Sequence, residues 1–449
     1  MQAHPTAVSD VKVRTDRSID CSSIAAIARD LYRDCATDEQ KAVATWYFVR
    51  RMLFHWPHVP TWNSLDLINS YGWGLCGYQS RIFCQICRAG GIEARIVKAS
   101  PHVVAEARYA GAWHLFDCQV GWYALRKDRA AVASAAEMKA DHSIITDAVA
   151  DGRASRPYFQ CSNSPDYGVE TVDIHQPGDA PEVPDDRLVI SLRPGESITR
   201  RWSNEGKSWH PPGETQWVLP HHGCTANGVD ENDPVNWPFW KPYAEVLSEQ
   251  GGGAIYGVKR RFGNGRMVYE PDLAGGDAGQ PLTLTVDCPY VMVDAWLDIE
   301  PGGEVAAVSA RAGDREWREV HYAKPSNSGR QERISLSDAA WAAERYAVRI
   351  ELRPGARAAD LGTVRLTSVF MNNLYALPYL VPGANVIRID AADAPHLDSH
   401  PLILDYTWEE AGQAKRVQED IRRLPFEREV HVAGKGLPRM RHVTLSVHK

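Results

Sequence analysis

The sequence predicts an α+β protein, with an N-terminal domain of helices and antiparallel strands followed by β-rich antiparallel sandwich domains. Three observations carry this. Over the first 150 residues, apolar positions at helical spacing alternate with short strand-like runs. From Arg187 onward, strand-like pieces separated by turn signals replace helical periodicity. Between them, Asp151 to Asp186 is rich in Pro, Gly, Asp and Ser, as a linker or long surface loop is. The expected organisation is an N-terminal domain over 1–150, a linker over 151–186, a β-rich middle domain over 187–275 and a β-sandwich over 276–449.

Residues 1–20 read as a polar lead-in. Ser22 to Cys35 reads as a short amphipathic helix with Ile24, Ile27, Ala28 and Leu31 on one face. Thr37 begins a second helix, and Gln40, three residues on, completes a capping box. Its apolar stripe is Ala42, Trp46, Val49 and Leu53, and Pro57 and Pro60 end it. His55 and His58 at that exit read as surface loop histidines. Gly72 and Gly74 then allow a sharp approach to a third helix. In it Ile82, Phe83, Ile86 and Cys87 recur at helical spacing, and Gly90–Gly91 stops it.

Glu93 to Ala99, His102 to Tyr109 and Ala112 to Asp117 read as three strands, with Ala110–Gly111 as a two-residue hairpin turn. That turn pairs Tyr109 with Ala112 and sets Val104 opposite Asp117. Side chains alternate along a strand, so Asp117 becomes the diagonal neighbour of His102 on one face. Gly121 to Leu125 reads as another strand, and Ser134 with Glu137 as the capping box of a helix near Met138. Further on, Leu188 to Leu192 and Ile198 to Trp202 read as strands around a Pro194–Gly195–Glu196 turn. Five runs between residues 280 and 390 have the spacing of an antiparallel β-sandwich: Leu282 to Val286, Tyr290 to Ile299, Glu304 to Arg311, Tyr346 to Leu352 and Thr363 to Phe370. The run Leu377 to Asn385 is similar to the closing segment of accessory sandwiches in bacterial carbohydrate-processing proteins. Leu402 to Thr407 and Val443 to Val447 read as the last strands, with the charged segment Glu409 to Arg423 between them.

The chemistry concentrates between Gly72 and Tyr123. A cysteine, Cys76, opens a helix; a histidine, His102, opens a strand; an aspartate, Asp117, closes the next strand. Local elements can assemble a Cys/His/Asp nucleophilic site in this way. In the first turn of a helix, unpaired N–H groups and the positive end of the dipole favour a thiolate, and the same N–H groups suit an oxyanion. Indole N–H groups from Trp73 or Trp46 are candidates for a second oxyanion donor. A lone Cys, His or Asp in such places is ordinary; the ordered triple with its glycine punctuation is not.

The same residues resemble the core of the transglutaminase-like superfamily of papain-like cysteine enzymes. The matching positions are Cys76 at a helix start, Gly91-Ile92-Glu93-Ala94-Arg95, His102 opening a strand and Asp117 ending the third. The resemblance spans roughly Ile24 to Ala150. It implies that Cys76 is the nucleophile, His102 the general base and acid, and Asp117 the orienter of the imidazole. The chain departs from the family at Val103–Val104, and at Gly74–Leu75, where protein-crosslinking members often carry a glutamine. These departures point away from protein crosslinking.

Composition narrows the partners. The 449 residues carry a net charge of −7 with no long basic run, so nucleic acid is not an expected partner. No apolar run reaches the length of a membrane span and no signal-like segment opens the chain. It reads as soluble and cytoplasmic as given, and an exported form with a trimmed signal fits as well. The nine cysteines are odd in number and scattered, unlike a disulfide framework. Cys84 and Cys87 form a C-x-x-C inside the third helix, where both suit the core, and no second pair completes a zinc site. No metal and no cofactor are expected. Fifteen tryptophans hint at carbohydrate contact. The loop-rich section with His210, Trp217, His221 and His222 reads either as a binding surface or as a loop packed on its own side chains.

The leading expectation is a cysteine hydrolase or acyl transferase acting on an amide or peptide bond. A carbohydrate-active enzyme on the same fold is the alternative. A polysaccharide lyase or glycosidase would use His102 or a tyrosine as base, and Arg81 to neutralise a uronate. The third is a non-catalytic glycan-binding protein. The expected partner is accordingly a peptide, amide or polysaccharide substrate.

Overall fold

In the computed structural model, the structure describes residues 8–55, 59–99, 102–119, 121–148, 150–153, 182–207, 209, 262–274, 278–300, 304–322 and 332–449. The core of the expected linker and the aromatic section from His210 to Tyr243 lie outside the described residues. Two compact units divide the chain in an interleaved way: residues 19–188 with 216–261, and residues 1–18 with 189–215 and 262–449.

The supposed polar lead-in is a strand, β1 (Lys12–Thr15). Val11 and Val13 are buried, and the strand pairs antiparallel with a segment almost four hundred residues away, Ile387–Asp390. A four-residue alternation is too short to stand out in sequence, and only the partner strand gives it somewhere to pair.

The helical unit follows the capping chemistry closely. Helix α1 (Ile24–Leu31) starts where the Ser23 hydroxyl accepts the Ala26 N–H. Helix α2 (Asp38–Met52) opens with the reciprocal Thr37/Gln40 capping box. Its stripe Ala42, Trp46, Val49 and Leu53 is buried, as its spacing requires. Two short strands, β2 (Phe54–His55) and β3 (Trp73–Gly74), pair in parallel. Between them a three-residue helical turn, α3 (Ser64–Asp66), runs into a π-helical turn over Leu67–Tyr71. Gly72, at φ 71°, ends it in the left-handed region. Helix α4 (Cys76–Ala89) then starts directly after Leu75.

Strands β4 (Glu93–Ala99), β5 (His102–Tyr109) and β6 (Ala112–Phe116) form an antiparallel sheet in that order. Tyr109 pairs with Ala112 across Ala110 (φ 49°) and Gly111 (φ 78°), a type I′ turn. Helix α4 packs on this sheet. Its Ser80 hydroxyl donates to the Val103 carbonyl, and Phe83 stacks on Phe116. Glu106, fully buried on β5, accepts both Nε and Nη2 of Arg95 on β4 and the backbone N–H of Ala135, which opens helix α5 (Ala135–Ala140). Arg95 of the Gly-Ile-x-Ala-Arg run thus ties the sheet together. Gly121 to Leu125 is not a continuous strand. It makes single bridges, Asp117 with Trp122 and Leu125 with Val132, because the chain turns tightly back onto β6.

The strand-rich unit contains the remaining strands. These are β7 (Glu196–Arg201), β8 (Phe262–Tyr269), β9 (Leu282–Asp287), β10 (Met292–Glu300), β11 (Val305–Ala312), β12 (Arg318–Tyr322), β13 (Glu332–Ser335), β14 (Arg345–Leu352), β15 (Thr363–Asn373), β16 (Gly383–Asp390), β17 (Leu402–Glu410), β18 (Gln413–Ile421), β19 (Phe426–Val432) and β20 (Arg439–Val447). An eight-stranded sheet runs β13-β10-β15-β8-β7-β20-β17-β18, a four-stranded one β12-β11-β14-β9 and a three-stranded one β1-β16-β19. All their pairings are antiparallel. The segments expected as a separate middle domain and sandwich share the eight-stranded sheet, since β7 and β8 sit between β15 and β20. The charged segment after Glu409 forms the exposed edge strand β18. Leu188 to Leu192 is not a strand: it makes a bridge between Leu192 and Val8 and single backbone bonds, with the Ile190 carbonyl accepting the Val11 N–H and the Leu188 N–H donating to the Ser22 carbonyl.

Gly121 in the helical unit combines steric demand with a left-handed backbone. Gly121 has φ 69°, and a Cβ there would lie 1.9 Å from Cζ of Arg50, which is buried in the last turn of α2. Gly121→Ala is expected to destabilise the protein by about 2 kcal/mol or more, from the left-handed backbone and the clash together. A lower urea midpoint at unchanged slope would show it; an unchanged midpoint would mean that Arg50 moves aside without cost.

Candidate active site

Helix α4 begins without a side-chain cap, because its N-cap residue is Leu75. The first bonds back to that residue come from Tyr78 N–H (3.0 Å) and Gln79 N–H (3.2 Å). Among the described residues this leaves the N–H groups of Cys76 and Gly77 uncommitted. The buried Gln79 amide, one turn on, donates to the Gly74 carbonyl at 3.2 Å and so braces the turn that delivers Cys76.

His102 is the first residue of β5 and is buried. Its Nε2 lies 2.8 Å from Oδ2 of Asp117, which is also buried. A carboxylate only accepts, so this bond places a proton on Nε2. Asp117 sits one residue past β6, where the register set by the Ala110–Gly111 turn puts it diagonal to His102. Its other oxygen accepts the Gln119 N–H at 3.0 Å. Its backbone is clamped by a two-way bridge to Trp122 and by the Trp46 indole, which donates to the Asp117 carbonyl at 2.8 Å.

The thiol of Cys76 meets the His102 imidazole, and the two ionisations respond to each other. Burial of Cys76 works against the thiolate. The hydrogen bond and charge of His102, aided by the Val103 backbone, outweigh burial and the opposing charge of Asp117, so its pKa lies below that of a free thiol. For His102, burial works against the imidazolium, but the charge and hydrogen bond of Asp117, with Cys76 adding to them, hold its pKa well above the ordinary imidazole range. Seven cysteines are described, and Cys76 is the one whose pKa is lowered. Burial pushes up the thiols of Cys21, Cys35, Cys84, Cys87, Cys118 and Cys288.

The structure thus brings Cys76, His102 and Asp117 together. It assigns Trp46 differently from expectation: its single indole N–H is engaged by the Asp117 carbonyl and cannot also serve an oxyanion. Trp73 is buried, edge-on to Tyr71. Arg81 lies half-buried on α4, five residues past Cys76. His210, Trp217, His221 and His222 lie outside the described residues, as does His58. Cys84 and Cys87 are both buried in the core. Sequence reasoning missed Gln79, Gln119 and Trp122 as supports of the site. Trp122 carries a signal, since it follows a glycine five residues past the aspartate; the two glutamines carry none.

Residues 25–125 match the family model described as the transglutaminase-like superfamily. No curated protein matches the chain. Among solved structures, the chain is similar to a Parabacteroides merdae β-glucuronidase at 9% identity and a TM-score of 0.12, over 52% of this chain and 32% of that one. A structure of the Parabacteroides merdae enzyme with glycerol in its active site is similar at 6% identity and a TM-score of 0.11, over 42% and 28%. The chain covers about a third of the length of those enzymes, and at such TM-scores the likeness implies nothing about fold or chemistry. No helix among the described residues is long and apolar enough to cross a membrane.

Asp117→Asn should reverse the balance on His102. The charge that raises its pKa is lost while the burial that lowers it stays, so the titration midpoint falls to the ordinary imidazole range or below. Long-range proton–nitrogen NMR of the imidazole would follow it; a midpoint still far above neutrality in the variant would show that Asp117 is not the controlling charge.

Proposed function

We propose that the transglutaminase-like segment is a cysteine-dependent hydrolase or acyl transferase acting on an amide or peptide bond. The observation that supports this most is the buried His102 imidazole, held 2.8 Å from the buried Asp117 carboxylate and acting on the Cys76 thiol at the start of α4. The Cys76 thiolate attacks the amide carbon and forms the C–S bond as the carbonyl π electrons move to oxygen. The N–H groups of Cys76 and Gly77 at the start of α4 receive that oxyanion. The His102 imidazolium gives its proton to the leaving nitrogen, and the C–N bond breaks to leave a thioester and an amine. Water, or an acceptor amine, then attacks the thioester while His102 takes its proton, and the carboxylic acid or new amide departs as the thiolate is restored. Asp117 keeps the ring oriented and its positive form stable throughout. The strand-rich unit, built of antiparallel sheets, reads as β-sandwich architecture.

Thiolate and imidazolium coexist only between the lowered pKa of Cys76 and the raised pKa of His102. Reactivity is therefore expected to appear as pH rises through the Cys76 value, below the region where a free thiol ionises, and to hold across neutrality. The test is the rate of Cys76 alkylation by iodoacetamide across pH, read by mass spectrometry, in the wild type and in His102→Ala. The variant should react more slowly near pH 6, because it loses the imidazole that lowers the pKa of Cys76. Equal rates in the two proteins, or a wild-type profile like that of a free thiol, would refute the proposal.

A further inference from the structure

The four-stranded sheet β12-β11-β14-β9 has one face in the core and one toward solvent. Side chains alternate along its strands: Val308, Ala310, Val348 and Ile350 are buried on the inner face, while Ser309, Arg311 and Arg349 are half-buried on the outer one. Arg311 on β11 lies opposite Ala347 on β14, so Arg349, two residues on, is its diagonal neighbour, about 7–8 Å away along the backbone. Both guanidinium groups rest on one indole ring, that of the half-buried Trp317 just before β12. Cζ of Arg349 is 4.3 Å from the ring centroid and Cζ of Arg311 is 4.8 Å from it.

Other cations in this unit show what the pair lacks. Trp296 on β10 also draws Lys207, Arg266 and Arg333 to its ring, and each of these holds a carboxylate, from Asp294, Glu205 and Asp298. Arg345, at the start of β14, holds Asp287. Arg311 and Arg349 make no ion pair and no hydrogen bond among the described residues. Their Nε atoms are buried without a partner, while their Nη groups keep contact with water. Glu319 and Glu351 are exposed on the same face, and neither pairs with them. Two like charges gathered on one ring repel each other, and the ring offsets part of that repulsion. An anion across them would offset the rest.

Stacking also decides which part of each guanidinium is left over. The flat face is taken by the indole, and the edge stays free, where parallel N–H groups match both oxygens of a carboxylate. Two such edges one diagonal apart suit a polymer that carries carboxylates at regular intervals. Around them the face offers hydroxyls, from Ser309 on β11 and from the exposed Thr283 and Thr285 on β9. Hydroxyls both donate and accept, as sugar hydroxyls do. We propose that this face binds an acidic polysaccharide, a chain of uronate residues, with Arg311 and Arg349 each forking a carboxylate and Trp317 holding the two forks in place. Binding here requires nothing of the cysteine site.

Affinity electrophoresis of the full chain tests this, in gels carrying polygalacturonate, alginate, a neutral glucan or polyglutamate. At least one polyuronate should retard the wild type, and the neutral glucan should not. The apparent affinity should fall at least about tenfold in the double variant Arg311→Gln/Arg349→Gln, which removes two charge-assisted contacts, and it should weaken with added salt. Arg345→Gln removes a cation of the same sheet that already has its carboxylate, and should bind as the wild type does. An unchanged thermal midpoint shows that the double variant is folded; if the midpoint falls, Arg311→Lys/Arg349→Lys, which keeps the charge and loses the fork, decides by the same loss of retardation. Retardation by neither polyuronate, or equal retardation of the wild type and the folded variant, overturns the proposal. Equal retardation by polyglutamate overturns it as well, since the face would then take acidic chains of any kind.

Discussion

A buried carboxylate needs a positive partner, and the N-terminal unit is arranged around that requirement. Asp117 is out of water, and His102, also buried, is the cation within reach. Leaving either alone would strand a charge or force it to neutralise, at a cost of several kcal/mol. The surrounding structure therefore holds Asp117 from every side: its second oxygen by the Gln119 N–H, its peptide by Trp122, its carbonyl by Trp46. Gly121 is what lets the chain turn back sharply enough for Trp122 to reach, and Arg50 fills the space a side chain there would occupy. Because the imidazole is kept positive, a half-buried thiol beside it becomes the most acidic of the described cysteines.

The other half of the site is a helix start made under local conflict. A helix normally begins on a Ser, Thr, Asp or Asn that caps its first N–H groups, as α1, α2 and α5 do here with Ser23, Thr37 and Ser134. Helix α4 begins on Leu75 instead, after a π-helical turn and a left-handed glycine. The missing cap leaves N–H groups and dipole available to a ligand or thiolate. Local rules tend to be broken where a chain is built for binding or chemistry.

Much of this was legible before any coordinates. The capping boxes at Thr37/Gln40 and Ser134/Glu137 and the Ala110–Gly111 turn are short-range signals, carried by residues within four positions of each other. From the turn, period-two alternation alone brought Asp117 next to His102. The misses in the strand-rich unit have equally physical causes. Strand β8 contains Gly263 and Gly265, a composition without a strand signal; they are in the strand because Phe370 lies across Gly265 and the Arg201 carbonyl lies against Gly263, leaving no room for a Cβ. Strand β18 is charged because it is an edge that must not recruit another strand. The turn before it, Ala411–Gly412, has φ 48° and 81°, the same dipeptide and conformation as Ala110–Gly111, so that hairpin was also readable.

The sequence by itself determined helices α1, α2, α4 and α5, the hairpin register and the order Cys76, His102, Asp117, because these depend on caps, turns and periodicities that act over a few residues. Only the tertiary structure decided that β1 pairs with β16, that β7 and β8 complete a sheet with strands from the far end of the chain, and that the Trp46 indole serves Asp117 rather than an oxyanion. It also decided that Arg95 has a carboxylate and Arg81 has none among the described residues. Pairings of that kind join residues tens to hundreds of positions apart. Their energies depend on what else is buried beside them, and no local pattern encodes that.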